Sequence, residues 1–458
     1  MPGNIDRPVC RRGPGIAWTG CFKKGSCIVK QREWGLGKIR AWALVLLLIA
    51  GFATAPSVAA ALSATTLPDH VTLTWVQDAR TTQTVAWRTD GDTVDGQVRF
   101  CEMGPAAVSC PAYITVTADV ERMVTPEGSV QIHFATLTGL KSGTRYGYQV
   151  GTGSFWTDFF SFSTAPARAG DFDFLVFGDS QSSDYNVWRA TAQAGYRAAP
   201  NAAFFTNVGD LVDVGQDFRE WEAWFAAAAG FVEKVPVMPV PGNHETYTPE
   251  GRFSLPAFFT TQFRLPSNGP DELKGQVYSF DYGDVHFVVL DSQEGEEGRL
   301  VPGMLEKQKL WLEKDLAATE KTWKIIFLHR PLYGNKPNGI NENLRRAFAA
   351  IFDRYDASVV FTAHDHVYAK TWPLNAEGTA VQPGQGTVFV ATGRSGTKTY
   401  SNVAAKEWNE VFLNRTDEPI FLIVRIRGRI MSVQARTQSG ELIDEWSLEK
   451  TLGKKEQP

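Results

Sequence analysis

The pattern of hydrophobic positions changes once along the chain, at the segment APARAG, residues 165–170. Before it, short stretches such as HVTLTWVQ, TQTVAWRT and RYGYQVGTG alternate apolar and polar residues, and turn formers such as TDGD and KSGT separate them. Alternation of this kind predicts strands with one buried face, and many short strands in succession are typical of a β-sandwich. We therefore expect an all-β sandwich domain over residues 65–166.

After this linker the apolar residues occur in near-continuous runs: FDFLVF, AAFFTNV, VPVMPV, KIIFLH and SVVFTA. Such runs predict strands that are covered on both faces. Apolar residues at helical spacing predict helices over roughly residues 186–199, 216–230, 304–318 and 341–355. We expect an α/β (α+β) domain over residues 171–450, with mixed sheets flanked by helices.

The composition and net charge indicate which classes of partner are not expected, but they say little about the function. The chain has 458 residues, of which 43% are hydrophobic and 21% are charged, and this is normal for a globular protein of more than one domain. The formal net charge is only −4, so neither nucleic acid nor an anionic membrane surface is an expected partner. A charged substrate must then be held by a local site. The sequence gives no indication of the oligomeric state.

Residues 1–60 have the pattern of a targeting segment. The apolar stretch AWALVLLLIAGFATAPSVAAALSA is preceded by the basic residues Lys30, Arg32, Lys38 and Arg40. This order is typical of a secretory signal, with Val58 and Ala60 before the cleavage site and a mature chain that begins at about Ala61. The alternative is a membrane anchor, although the strongly apolar part is shorter than the ~20 residues that a span needs. We expect a secreted or periplasmic protein, or else one anchored through this segment.

Two cysteines follow the predicted signal, and three precede or lie within it. Cys101 and Cys110 flank the segment EMGPAAVS, and an oxidising compartment favours a disulfide that closes this small loop. The alternative is a pair of independent buried thiols.

Polar residues that can bind metals follow five of the predicted buried strands. They are Gly178-Asp179-Ser180, Gly209-Asp210-Leu211, Gly242-Asn243-His244-Glu245, His329, and His364-Asp365-His366. Ligands bind at the carboxyl ends of strands in α/β sheets, because the loops converge there. One such motif alone would carry little information, but five of them in this order are a specific signal.

This set of motifs resembles the metallophosphoesterase superfamily. Together with the earlier segment FATLTGLKSGTRYGYQVGTGSFWTDFFSFSTAPA, it resembles the purple acid phosphatases, which carry a fibronectin type III-like domain before the catalytic domain. The resemblance implies a site for two metals. The implied ligands are Asp179, Asp210 and His366 for the first metal, and Asp210, Asn243, His329 and His364 for the second.

The resemblance also implies roles for neighbouring residues. His244 is expected to contact the phosphoryl oxygens or to protonate the leaving alkoxide as general acid, with Glu245 orienting its ring. If the segment after its strand is extended, His364 and His366 point the same way and serve both metals, while Asp365 points away.

Mixed oxygen and imidazole ligands suit iron, zinc or manganese, so the expected cofactors are two divalent or trivalent transition metal ions. The implied function is a secreted phosphatase that hydrolyses phosphomonoesters by attack of metal-bound hydroxide on phosphorus. Two alternatives stay open. One is a metal-dependent phosphodiesterase, and the other is a non-catalytic binding or adhesion protein on the same scaffold.

Two departures from the purple acid phosphatase pattern affect the site. Asp213 stands where that family has a tyrosine, and Gln181 stands where many other metallophosphoesterases have a histidine. Whether either residue replaces the missing ligand stays open. No histidine follows His329 in HRPLYGNKPNGINENL, where the phosphatases usually have a substrate-facing one, and the candidates to replace it are Lys336 and Asn335. The segment GRSGTK lacks the spacing of a phosphate loop and is interpreted as a loop near the mouth of the site at most.

Overall fold

The computed structural model describes residues 64–104, 109–168, 170–382 and 384–450. The predicted targeting segment lies outside the described residues. Within these ranges no helix is both long enough and apolar enough to cross a membrane.

The first part of the described chain is built from strands alone. These are β1 (Asp69–Thr74), β2 (Gln83–Asp90), β3 (Gln97–Glu102), β4 (Ile114–Thr117), β5 (Asp119–Thr125), β6 (Gly128–Leu137), β7 (Arg145–Thr152), β8 (Phe155–Trp156) and β9 (Phe160–Ser163). One sheet has the order β1-β2-β6-β5, and the other has the order β4-β3-β7-β8, with β9 also pairing with β7. Trp87 of the first sheet and Phe100 and Tyr148 of the second are buried in one shared core. The predicted β-sandwich is confirmed.

A disulfide joins Cys101, in β3, to Cys110, and their Cα atoms are 5.7 Å apart. This bond confirms the predicted pairing over the alternative of two free thiols.

The second part mixes helices and strands. In chain order these are β10 (Phe172–Phe177), α1 (Tyr185–Ala198), β11 (Phe205–Asn207), α2 (Phe218–Ala228), α3 (Ala257–Gln262), β12 (Tyr278–Tyr282), β13 (Val285–Val289), α4 (Glu294–Glu297), α5 (Met304–Ala318), β14 (Trp323–Phe327), α6 (Glu342–Arg354), β15 (Val359–Thr362), β16 (Tyr368–Thr371), β17 (Val388–Thr392), β18 (Asn409–Leu413), β19 (Ile420–Arg427), β20 (Ile430–Thr437) and β21 (Leu442–Glu449). The four helices predicted from apolar spacing all form, as α1, α2, α5 and α6. The α/β fold class with mixed sheets is therefore confirmed.

Two mixed sheets pack face to face in this part of the described chain. Their strand orders are β11-β10-β19-β20-β21 and β12-β13-β14-β15-β17-β16-β18. The ring of Phe174 in β10 lies 5.4 Å from that of Phe287 in β13 and 6.4 Å from that of Phe327 in β14, measured between centroids. Ile326 of β14 and Val360 of β15 face the other way, into a core shared with α5 and α6. The parallel strands are thus covered on both faces, as their continuous apolar sequences predict.

Three of the helices begin at a side-chain cap. Asp184 accepts a hydrogen bond from the backbone of α1, Asp217 from that of α2 and Asn341 from that of α6. Such caps satisfy backbone N–H groups that have no partner within the first turn of a helix.

The segment VPVMPV does not form the predicted strand. Val237 and Val240 make only isolated parallel bridges, to Phe205 and Val208. Prolines at positions 236, 239 and 241 lack the backbone N–H that a continuous ladder requires. The segment still runs beside β11 and delivers Asn243 to the same edge of the sheet.

Candidate active site

The loops that follow β10, β11, β14 and β15 meet at one edge of the two packed sheets. They bring together two groups of side chains in which one donor atom of every residue lies within 4.8 Å of the others. We call them the first cluster, which is Asp179, Asp210 and His366, and the second cluster, which is Asp210, His329 and His364. Asp210 belongs to both, so the two candidate metal positions are adjacent.

The first cluster is fully buried. Nε2 of His366 lies 3.4 Å from Oδ1 of Asp179, and Nδ1 of the same ring donates to the carbonyl of Lys398 at 2.6 Å. Burial lowers the pKa of His366 to about 3, so the ring is neutral and presents Nε2 as an electron-pair donor. Burial and the charge of Asp210 raise the pKa of Asp179. A buried carboxylate in this setting calls for a cation.

The second cluster has two imidazoles. Nε2 of His329 lies 3.1 Å from Oδ2 of Asp210, and Nδ1 donates to the carbonyl of Val208 at 2.8 Å. Nδ1 of His364 lies 3.3 Å from Nε2 of His329. Burial, followed by the charge of His329, lowers the pKa of His364. The backbone partner of His329 fixes which nitrogen faces the cluster, as metal-binding histidines require.

Asn243 lies next to these clusters, and its side chain is only half satisfied. Its Nδ2 donates to the hydroxyl of Tyr247 at 2.8 Å, whereas its buried Oδ1 has no hydrogen-bond partner in the described part of the chain. The backbone N–H of the next residue, His244, donates to Oδ1 of Asp210 at 2.9 Å. An unpaired buried amide oxygen costs free energy, and a cation at the second cluster would satisfy it.

The backbone at the clusters adopts left-handed conformations. The φ angle is 48° at Asp179, 53° at Asp210, 68° at His364 and 58° at His366. Such values cost free energy in residues other than glycine and concentrate at functional sites. The expectation that His364 and His366 share an extended segment is therefore wrong. The left-handed bends send His364 to the second cluster and His366 to the first.

Glu245 does not orient the His244 ring. Its Oε2 accepts the backbone N–H groups of Gly242 at 2.6 Å and Asp210 at 2.9 Å, and its Oε1 accepts that of Leu211 at 2.8 Å. Burial and the charge of Asp210 raise the pKa of Glu245 to about 8. Glu245 therefore connects the loop of Asp210 to the loop of Asn243, because its two side-chain oxygens accept hydrogen bonds from backbone N–H groups of both.

The His244 ring is held by other partners. Nδ1 donates to the carbonyl of Asp213 at 2.5 Å, and Nε2 lies 2.9 Å from Nζ of Lys398. The same Nε2 is 3.9 Å from Oδ2 of Asp210. His244 therefore stands beside both clusters without belonging to either.

Gln181 and Asp213, the two residues at the departures from the family pattern, lie in different places. Nε2 of Gln181 lies 3.4 Å from Oδ2 of Asp210 and 3.3 Å from Nε2 of His366, and its buried Oε1 has no hydrogen-bond partner within the described ranges. The side chain of Asp213 is 52% exposed and belongs to neither cluster. Of the two, Gln181 is the one in contact with the first cluster.

Sequence reasoning underestimated the segment GRSGTK, residues 393–398. It follows β17 at the same edge of the sheet as the other motifs, and the N–H of Ser395 donates to the carbonyl of Gly178 at 2.7 Å. A Cβ at Gly396 would lie 2.1 Å from the carbonyl oxygen of Gln181, so only glycine allows this approach. The segment ends at Lys398. The rule that loops converge at strand ends was the signal that could have found it.

Asp365 and Asn335 have structural partners. Oδ2 of Asp365 accepts the N–H of Asn335 at 2.5 Å, and the Asn335 side chain donates to the carbonyl of Ala404 and to Asn409. Asn335 is thus not available to a substrate. Lys336, the next residue, extends its Nζ to the carbonyl of His364 at 2.8 Å.

A cavity of about 330 Å³ opens beside the second cluster, and Lys336 and His364 are among its lining residues. A larger cavity of about 700 Å³ lies between the sandwich and the second part of the chain, and it contains no residue of either cluster. We place the candidate site at the smaller cavity, because the metal-binding side chains are there.

Two family matches cover most of the described chain. Residues 172–368 match the calcineurin-like phosphoesterase domain, and residues 68–164 match the purple acid phosphatase N-terminal domain. This chain contains a calcineurin-like metallophosphoesterase domain. In this metallophosphoesterase the purple acid phosphatase N-terminal domain precedes the phosphoesterase domain, as the sequence resemblance implied.

Named relatives agree with the assignment. The metallophosphoesterase is 29% identical over 254 residues to a purple acid phosphatase of Glycine max, across 52% of this chain and 53% of the relative. It is 24% identical over 433 residues to acid phosphatase type 7 of Mus musculus, across 84% of this chain and 92% of the relative. These homologues and the phosphoesterase domain identify the metallophosphoesterase as a phosphate ester hydrolase.

A solved structure has the same fold. The purple acid phosphatase from yellow lupin (Lupinus luteus) seeds superposes with a TM-score of 0.69 at 19% identity, across 84% of this chain and 75% of that one. The fold of the metallophosphoesterase is therefore that of the purple acid phosphatases.

The donor set of the two clusters fits the metal ions that this family implies. Carboxylate and imidazole donors meet around a shared carboxylate. The side-chain amides of Asn243 and Gln181 lie beside them, and each has an oxygen with no hydrogen-bond partner among the described residues. Oxygen and imidazole donors suit transition metals better than they suit calcium.

Proposed function

We propose that this metallophosphoesterase is a secreted phosphatase that holds two metal ions and hydrolyses phosphomonoesters. The observation that supports the proposal is the pair of clusters joined by Asp210. One carboxylate between two sets of donors suits a pair of adjacent cations.

In this proposal the first metal is held by Asp179, Asp210 and His366, and the second by Asp210, Asn243, His329 and His364. Each ion is iron, zinc or manganese. Bound metals in such a site lower the pKa of water and neutralise the charge that develops on a transferring phosphoryl group. Gln181 becomes a further oxygen donor for the first metal if its amide turns over, because Nε2 now contacts that cluster and Oε1 has no partner among the described residues.

The protein's own residues position the substrate. Nδ1 of His244 is fixed by the carbonyl of Asp213, so its Nε2 faces the space beside Asp210, where phosphoryl oxygens would lie. His244 is the residue we assign to contact the phosphoryl group or to protonate the leaving alkoxide. The alcohol portion of the ester is expected in the 330 Å³ cavity beside His364.

Secretion is supported by two features. Residues 1–60 have the pattern of a secretory signal, and the Cys101–Cys110 disulfide is typical of an oxidising compartment. We propose domain boundaries at residues 65–166 for the sandwich and 171–450 for the phosphoesterase domain.

The test uses the mature protein, purified and analysed for bound iron, zinc and manganese. We expect close to two metal ions per chain, turnover of an aryl phosphate monoester, and loss of that turnover after chelation with recovery on adding metal back. A bis-aryl phosphate diester assayed in parallel separates a monoesterase from a diesterase. Protein that binds no transition metal and hydrolyses neither ester would overturn the proposal.

A further inference from the structure

Two lysines reach the clusters from different loops, and neither belongs to the proposed ligand set. Lys398 ends the loop after β17, and Lys336 lies in the loop after β14. Lysine ammonium groups bind phosphate as point charges.

The ammonium of Lys398 is aimed at the site by its contact with His244. Its Nζ lies 2.9 Å from Nε2 of His244 and 3.6 Å from Oδ1 of Asp213. An ammonium has only donors, and Nδ1 of His244 already donates to a backbone carbonyl. Without substrate, Nε2 of His244 is therefore the acceptor, and Lys398 supplies the hydrogen-bond donors at this edge of the site. The role proposed for His244 toward the phosphoryl group or the leaving alkoxide applies to the ring with Nε2 protonated, after Lys398 has turned to the phosphoryl oxygens.

Lys336, on the other side of the site, is held by its loop and by a hydrogen bond from its own ammonium. The N–H of Asn335 donates to Asp365, which fixes the loop, and Nζ of Lys336 donates to the carbonyl of His364 at 2.8 Å. Nζ also lies 4.1 Å from the centre of the Tyr400 ring, which packs against His366. Among the described residues, no carboxylate forms an ion pair with this ammonium, and the charges of Asp365, Asp179 and Asp210 act on it from farther away.

A third cation near the clusters is already neutralised. Nη1 of Arg330 lies 3.4 Å from Nε2 of His364, but its Nη2 pairs with Glu296 at 2.6 Å and its Nε donates to Gln293. Its charge is thus offset in the protein. The charge of Lys336 is offset by a backbone carbonyl and by carboxylates beyond ion-pair distance, and that of Lys398 by the half-exposed carboxylate of Asp213.

We propose that Lys336 and Lys398 bind the phosphoryl oxygens of the substrate and take over the role of the substrate-facing histidine that the loop after His329 lacks. This inference rests on the proposed function and extends it to specificity. A phosphomonoester is largely a dianion at neutral pH, since its second pKa is about 6, whereas a diester keeps one negative charge. Two ammonium groups therefore favour monoesters over diesters.

The test compares Lys336→Met, Lys398→Met and Lys398→Arg with the metal-loaded wild-type enzyme. Lys309→Met is the matched control, because Lys309 lies on α5 and its ion-pair partner among the described residues is Glu306, at 3.7 Å. The measurements are kcat and KM for an aryl monoester and for a bis-aryl diester, the metal content, and the Kd of orthophosphate by calorimetry.

We expect each methionine variant to lose about 10- to 100-fold in kcat/KM for the monoester and in orthophosphate affinity, which is the range for one hydrogen bond to a charged group. Diester turnover should change by less than about threefold and metal content should not change. Lys398→Arg should recover most of the loss, because it keeps the charge.

An unchanged orthophosphate Kd in both methionine variants, or equal losses on the two esters, would overturn the role of the lysines. Equal losses would indicate a structural role in holding the loops. Failure of the proposed function gives a different result, because the wild-type enzyme itself would then turn over neither ester, whatever its affinity for orthophosphate.

Discussion

The first and second clusters share Asp210 but differ in the side chains that complete them. The second has the imidazoles of His329 and His364 and the unpaired oxygen of Asn243. The first has a single imidazole, and beside it lies the side-chain amide of Gln181 where the sequence resemblance implies a tyrosine or a further histidine nearby. A neutral amide is a weaker donor than either group. We infer that the first cluster binds its metal less tightly and sets which metal the enzyme accepts.

The largest effect is expected from Asp210→Asn, because this carboxylate is the part common to both clusters. The variant should lose both metals and at least about a thousandfold in kcat/KM, equal to ~4 kcal/mol of transition-state stabilisation. Metal analysis and aryl phosphate turnover measure this. Asp271→Asn, at an exposed surface pair with Lys274, is the control and should behave as wild type. Wild-type metal content in Asp210→Asn would show that the clusters do not depend on this residue.

Single-cluster variants test whether the two positions are separable. His366→Ala removes the imidazole of the first cluster, and His329→Ala removes one from the second. Each should retain about one metal per chain and lose about a hundredfold or more in kcat. The measurement is metal stoichiometry after dialysis, followed by kinetics. If either variant loses both ions, the two positions bind metal cooperatively. The inference that the clusters bind their metals separately would then be wrong.

Substitutions at Gln181 test the difference in metal affinity between the two clusters. Gln181→Ala should weaken metal binding at the first cluster by about tenfold, and Gln181→His should strengthen it by a similar factor, as supporting ligands do. Competition with a chelator gives both dissociation constants. The tighter constant, assigned to the second cluster, should stay unchanged. Equal shifts in both constants would contradict the assignment of Gln181 to the first cluster.

The smallest effect on the clusters is expected from His286, which lies away from both. Burial acts to lower its pKa, but hydrogen bonds to Asp281 and Asp315, each at 2.8 Å, outweigh burial and raise the pKa to about 9. The charged ring therefore stabilises the fold fully below its unfolded pKa of about 6.5, and this stabilisation is lost as pH rises through about 9.

His286→Gln should lower the free energy of unfolding by about 2–3 kcal/mol at pH 6 and by little at pH 10. Urea unfolding at the two pH values measures the difference, and metal content at pH 6 should equal that of wild type. A loss of stability that is the same at both pH values would show that the ring acts by packing rather than by its charge.

The sequence predicted the helices and the buried strands because their signals are local. Apolar spacing alone located α1, α2, α5 and α6, and the alternating stretches located the sandwich. The strand predicted at VPVMPV was wrong because apolar content does not show which residues lack a backbone N–H. The prolines of this segment interrupt the hydrogen bonds that a continuous strand needs. The bend at His364 and His366 was missed because a left-handed φ in a residue other than glycine leaves no pattern in the sequence.

The sequence by itself determined which donors this chain has and the order in which they follow its strands, because residue type and apolar runs can be read directly. Only the tertiary structure decided which donors meet, since that depends on two sheets packing together and on loops closing at their shared edge. It divided His364 from His366, assigned Glu245 to the backbone, and brought Lys398 to the site across more than 150 residues from His244. Contacts of that range follow from packing and backbone hydrogen bonds, which no local pattern encodes.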